Sequence, residues 1–388
     1  MHASHTRRAT LLGLGATLFG RTALALAHTP GERRLVVVML RGALDGLAAV
    51  VPYGDAALPG LRGPLLPPEP GREGGVLDLG GFYGLHPALT GLHAMFAAGE
   101  LLPIHAVAGP ARTRSHFEAQ DLMESGADRR LSSGWLNRAV SAMPAPQPER
   151  ALSVGVSLPL LLRGSAPVGA YAPQGFSQPQ PDLYARLMAL HREDPVTGPA
   201  LRQGLLQRGF SNAQLADVPP PPDRFGFPAL AGAAGRLLAA ADGPRLAAME
   251  LGGWDTHAGQ TARLQGPLRQ LDTGMAALRD GLGVAWAHTA VLVMTEFGRT
   301  VRANGTGGTD HGTGGVAFLL GGAVQGGRVL ADWPGLGSLL DDRDLRPTLD
   351  LRAVAKGVLA GHGLDAAALA TVFPDSTDAP PYTGLLRA

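Results

Sequence analysis

The sequence predicts an α/β protein, a three-layer α/β/α sandwich with a mainly parallel central sheet and one helical insertion. Continuous apolar runs recur along the chain without polar alternation, as strands buried on both faces do. Stretches with helical spacing of Ala, Leu and Met alternate with these runs. The 388 residues are 45% hydrophobic and 17% charged, enough to bury a large core.

The strand expectations are, in order, Arg34–Leu40, Leu101–Val107, Leu152–Val156, Arg245–Leu251, Ala290–Met294 and Val316–Leu320. Arg34–Leu40 is the clearest, a β-branched run with no polar interruption after its first residue. Helical spacing is expected over Pro87–Ala98, Ser115–Glu124, Leu183–His191, Gly232–Ala241, Thr261–Gly281 and Leu351–Leu359. Residues 172–228 break the alternation; they are rich in Pro and Gln and read as a helical insertion over the sheet. The tail from Phe373 reads as a surface segment.

The chain has no cysteine, which excludes disulfides, a thiolate nucleophile and cysteine-ligated metal. Any transition-metal site must come from His, Asp, Glu and hydroxyls. A formal net charge of +1 gives no electrostatic reason to expect nucleic acid, and no Lys/Arg run suggests an anionic membrane surface.

At the N-terminus, Arg7-Arg8 precede an apolar segment that Arg21 interrupts, and Ala25-Leu26-Ala27 offers a small-x-small cleavage site. A membrane span needs roughly 20 uninterrupted apolar residues. Residues 1–27 are therefore expected to be a twin-arginine export signal, with residues 28–388 the mature domain, periplasmic or secreted, without a stable membrane span.

Ligands of open α/β sheets sit beyond the carboxyl ends of strands, and four such loops carry candidates here. After the first strand, Arg41 to Leu47 holds Asp45, placed either to ligate a metal or to cap the next helix. After Val107, Ser115 and Glu118 have the spacing of a capping box. A hydroxyl at a helix N-terminus also suits a nucleophile, with Arg112 and Arg114 as an anion clamp. His116, beside Ser115, could approach the same site.

After Leu251, Asp255 and His257 could chelate one ion from an extended loop, or form a polar turn. After Met294, the glycine-rich segment from Thr295 to Gly315 holds Glu296, Arg299, Asp310 and His311. Glu296 could be a ligand, a base or the ion-pair partner of Arg299, whereas Asp310-His311 offers the oxygen and imidazole that hydrolytic divalent metals take. His86, His93, His105, His288 and His362 lie beside helical or apolar stretches and read as structural or surface residues, with His362 in an accessible Gly-His-Gly turn.

This order of strand-end acids, helix-start hydroxyl and Asp-His-Gly resembles the alkaline phosphatase/sulfatase superfamily. LRGALDGLAAVVPY, RSHFEAQDLMESG, GGWDTH, TEFGRT and TDHG together resemble the domain-of-unknown-function 1501 family of exported bacterial proteins. The resemblance implies the alkaline phosphatase-like form of the sandwich and one or two divalent ions, zinc, manganese, calcium and magnesium all being open. Asp45, Asp310 and His311 would hold one ion with the nucleophile Ser115, or Thr113 second to it. Asp255 and His257 would hold the other, with Arg114 and Glu296 in catalytic support. The implied activity is an exported metal-dependent hydrolase of phosphate or sulfate esters on small molecules, glycans or lipids. The alternative is an exported metal- or ligand-binding protein that keeps the fold without turnover. The chain departs from the superfamily in spacing its second pair as Asp-x-His and in carrying Glu296 where Asp-His is usual.

Overall fold

The computed structural model describes residues 32–143, 151–173, 181–192, 194, 197–218, 223 and 225–387. The expected export signal, residues 1–27, lies outside the described residues.

The apolar runs form the sheet. Its strands are β1 (Arg34–Leu40), β5 (Leu101–Ala108), β6 (Ala151–Val154), β7 (Gly169–Tyr171), β8 (Leu246–Leu251), β9 (Thr289–Thr295), β10 (Gly315–Leu320) and β11 (Leu349–Asp350). They lie side by side in the order β11-β5-β10-β9-β1-β8-β6-β7. β1 runs parallel to β8 and β9, and β6 to β7 and β8; β10 alone is antiparallel, between β5 and β9. A small antiparallel sheet of β2 (Val50–Val51), β4 (Gly84–Leu85) and β3 (Leu77–Asp78) sits beside it.

β1 shows why the runs are unbroken. Val36, Val38 and Leu40 face a layer containing Phe227, Leu237, Leu268 and Met275, while Leu35, Val37 and Met39 face Leu136, Val354 and Val358. Alternate side chains are therefore buried on opposite faces, each contributing roughly 1.5–3 kcal/mol of hydrophobic stabilisation. The described helices that position the site are α1 (Gly46–Ala49), α2 (Thr90–Ala97), α3 (His116–Ser125), α4 (Phe227–Ala239), α5 (Gln260–Arg263), α6 (Gln265–Leu282) and α7 (Leu351–Gly361). α4 and α6 pack together on one face and α7 lies on the other, completing a three-layer α/β/α sandwich.

Boundaries shift modestly from expectation. The helix expected over Thr261–Gly281 is split at Leu264 into α5 and α6, and β6 ends at Val154. Helices Pro181–Leu190 and Thr197–Gln214 fall within residues 172–228, the second packing against β7 and α4. The tail is pinned, with Leu386 bridged to Val324 and the Arg387 N–H donating to the Ala323 carbonyl at 2.8 Å. Among the described residues no helix is long and apolar enough to cross a membrane.

Candidate metal centre

β1, β5, β8 and β9 all point their carboxyl ends to one edge, so the four candidate loops share that edge. Gly42, at φ +116°, lets the first loop turn against the third; a Cβ there would lie 2.7 Å from the Asp255 nitrogen. The glycine-rich loop after β9 folds back over His257 through Gly308, where a Cβ would lie 2.3 Å from the His257 carbonyl.

These approaches gather three imidazoles around one carboxylate oxygen. From Asp255 Oδ1, His257 Nε2 lies at 3.0 Å, His311 Nε2 at 3.4 Å and His116 Nε2 at 3.5 Å. His257 Nε2 and His311 Nε2 are 2.9 Å apart. Among the described residues, ligand atoms of His116, Asp255 and His311 all lie within 4.8 Å of one another.

The opposite nitrogen of each ring is held by a group that can only accept. His116 Nδ1 is 2.7 Å from Glu296 Oε1, His257 Nδ1 is 3.1 Å from Asp310 Oδ1, and His311 Nδ1 is 2.7 Å from the Arg114 carbonyl. The Nδ1 atoms therefore donate, and each ring turns its Nε2 toward Asp255. Metal-binding histidines are oriented in this way.

The charges suit the arrangement. Burial pushes the Glu296 carboxyl up, but bonds from His116, Gln120 and the Gly42 N–H outweigh it and hold Glu296 down at about 2. The hydrogen bond to Glu296 raises His116, against burial, while burial lowers His311. Burial also opposes ionisation of Asp255, but the Arg299 guanidinium keeps it below the ordinary carboxylate range. Asn304 and His257 do the same for Asp310.

These residues fit a divalent ion. Nitrogen and oxygen ligands at 2.0–2.1 Å in a tetrahedron stand about 3.3 Å apart, close to the separations here. His116 Nε2 is buried without a hydrogen-bond partner, the orphaned donor atom that such an ion would satisfy. The Asp255 and His257 side chains are 46% and 45% exposed, so the cluster opens to solvent on their side.

Several expectations change. Asp45 is not brought to the cluster. It is 1% exposed, its carboxylate is paired with Arg62 and accepts from Gln260, and Oδ1 caps α1 at the Leu47 N–H. A carboxylate so occupied has no free oxygen for an ion. Asp310 stands one bond further out than expected, braced on His257. Glu296 does not pair with Arg299; it holds His116, and its Oε2 accepts from Thr295 at 2.9 Å.

Arg299 instead donates to the carbonyls of Gly42, Ala43, Trp254 and Thr309 and to Asp255. Ser115 starts α3 but its hydroxyl makes no capping bond, so the capping box is not formed. Arg114 is half exposed, with its nearest acid, Asp344, at 3.9 Å. Arg112 turns to the carbonyls of Gly109 and Ala111. His116, expected only to approach the site, is at its centre; it opens the helix that follows a strand-end loop.

Residues 214–375 match the family model described as "Protein of unknown function (DUF1501)". This segment is similar to that family. It carries Asp255, His257, Glu296, Asp310 and His311, so most of the cluster lies inside the DUF1501 match, with His116 outside it. No curated protein matches the chain. Among solved structures, the chain is similar to the C-terminal periplasmic domain of EcEptC from Escherichia coli in complex with Zn, at 12% identity and a TM-score of 0.38, covering 90% of this chain and 88% of that one. It is also similar to BT1596, a 2-O GAG sulfatase, at 12% identity and a TM-score of 0.36, covering 86% and 71%. Both scores are below 0.5.

Proposed function

We propose that the chain is an exported metal-dependent hydrolase of phosphate or sulfate esters. The observation that carries this reading is the convergence of three imidazole Nε2 atoms on Asp255 Oδ1, with His257 and His311 at 2.9 Å. Two imidazole nitrogens at that distance share a proton or a metal ion. His116, His257, His311 and Asp255 would hold one divalent ion. When bound, such an ion withdraws charge from an ester oxygen.

The chain's own groups supply the rest. The Ser115 hydroxyl, exposed and uncapped one residue before His116, is the attacking group in this reading. Arg114, half exposed next to it, attracts the anionic ester. The export assignment rests on Arg7-Arg8 and Ala25-Leu26-Ala27. Small-molecule, glycan and lipid esters are all open as substrates.

The test is metal analysis of purified protein, with turnover of 4-nitrophenyl phosphate and 4-nitrophenyl sulfate after reloading with zinc or manganese. Loss of turnover in Ser115→Ala with metal retained, and of both in His116→Ala, supports the reading. Absence of bound metal and of turnover in the wild type overturns it. One observation favours a second reading, a metal-binding protein without turnover: His257 stands beside the His116, Asp255 and His311 group, and four protein donors to one ion would leave no open position, as in closed structural sites. Bound metal with no turnover of either ester is its expected outcome.

A further inference from the structure

A cavity of about 180 Å³ lies between α1, the segment around Leu65 and Gly74, the His86-Pro87 turn and the start of α5 and α6. Its inner wall is buried: Ala48, Leu65, His86, Gln260 and Leu264. Pro68, Gly74 and Thr261 are exposed at its mouth.

Four polar side chains line the cavity: Thr261 and Gln265 toward solvent, and Gln260 and His86 in the buried wall. The Gln260 amide donates one N–H to Asp45 and accepts from the hydroxyls of Thr256 and Thr309, so its oxygen and one of its two N–H groups are already taken. His86 is 5% exposed, and its Nδ1 accepts the Ala88 N–H at 3.1 Å. The proton therefore sits on Nε2 and the ring is neutral. Burial, with Arg269 nearby, pushes His86 down to about 4. No described residue takes its Nε2–H, which leaves an imidazole hydrogen-bond donor in the buried wall.

Size and polarity select the occupant. A dry cavity of about 150 Å³ accepts benzene, so this one has room for a single ring or a short alkyl chain. No cation lines it, and an anion would lose its hydration without a charged partner. We propose that this cavity binds a small uncharged molecule of the phenol or short-alkanol class, its apolar body against Leu65 and Leu264 and its oxygen on His86 Nε2. The site is separate from the metal cluster and does not depend on the proposed hydrolysis.

The test is calorimetric titration of the full chain with phenol as the probe, and with benzene and benzoate as controls. One saturable phenol site is expected. Thr261→Trp, at the exposed mouth, should weaken phenol by at least about tenfold, the change of a clash with one small ligand. His86→Phe should weaken phenol by up to about tenfold, the value of one hydrogen bond, and leave benzene within about twofold. No saturable phenol binding in the wild type overturns the proposal. So does phenol binding unchanged in Thr261→Trp, or benzoate binding as tightly as phenol. Should His86→Phe not fold, the Thr261→Trp comparison decides alone.

Discussion

His116 Nδ1 lies 2.7 Å from Glu296 Oε1, joining the start of α3 to the end of β9 across 180 residues of sequence. The acid is 1% exposed and also accepts the Gly42 N–H and the Gln120 amide, so the ring is fixed from behind. Glu296→Gln keeps the shape and removes the charge. Zinc affinity should fall about 10- to 100-fold, as for other carboxylates that orient a metal-binding histidine. Competition against a chromophoric chelator measures it, and an unchanged affinity would show that Glu296 does not position His116.

Asp45 and Asp255 should respond in opposite ways. Asp45 and Arg62 are each 1% exposed, and removing one partner strands the other charge. Asp45→Ala should therefore cost about 3–5 kcal/mol in urea unfolding. Asp255→Asn should cost little stability and lose the metal. Metal loss in Asp45→Ala without loss of stability would return Asp45 to the ligand set.

Gly308→Ala places a Cβ 2.3 Å from the His257 carbonyl and must displace that residue or its own loop. Metal affinity should drop by about tenfold or more, because a ligand moved by an ångström no longer meets its partners. Gly305 has nothing within 4 Å and serves as the control: Gly305→Ala should leave the affinity unchanged. Equal effects of the two substitutions would remove the steric explanation.

Two histidines away from the cluster, His86 and His105, contribute to the acid stability. Burial lowers both His86 and His105 from 6.5 to about 4. The unfolded chain then binds more protons than the fold between those values. Their stabilisation is whole above pH 6.5 and is lost as pH falls from 6.5 through 4, by about 3 kcal/mol each. Denaturant unfolding at pH 7 and pH 4 tests this, and His105→Gln should remove about 3 kcal/mol of the difference. A pH dependence unaltered in that variant would assign it to other groups.

The core strands were legible because burial on both faces leaves a continuous apolar run, as in Arg34–Leu40 and Thr289–Thr295. The edge strands β7 and β11 were not, because two or three residues make no pattern. In the cluster, Asp255, His257 and His311 could be found from their places at strand ends. Asp45 could not be sorted from them, since the deciding fact is Arg62, a partner 17 residues on with no local signature. His116 looked like the neighbour of a nucleophile because its own partner, Glu296, is distant in sequence. Position in a loop is written locally; which oxygen a side chain meets is not.

Arg299, 1% exposed, ties the loops after β1, β8 and β9 together through the carbonyls of Gly42, Ala43, Trp254 and Thr309. A guanidinium that bonds so many oxygens at once stands as an internal clasp that no ion has to close. Stripping the protein with EDTA should accordingly leave its circular dichroism spectrum unchanged and lower only its melting temperature, by mass action. With an ion held as proposed, exchange of one metal for another would then be an event at the surface, on the side where His257 meets solvent, and would leave the fold intact.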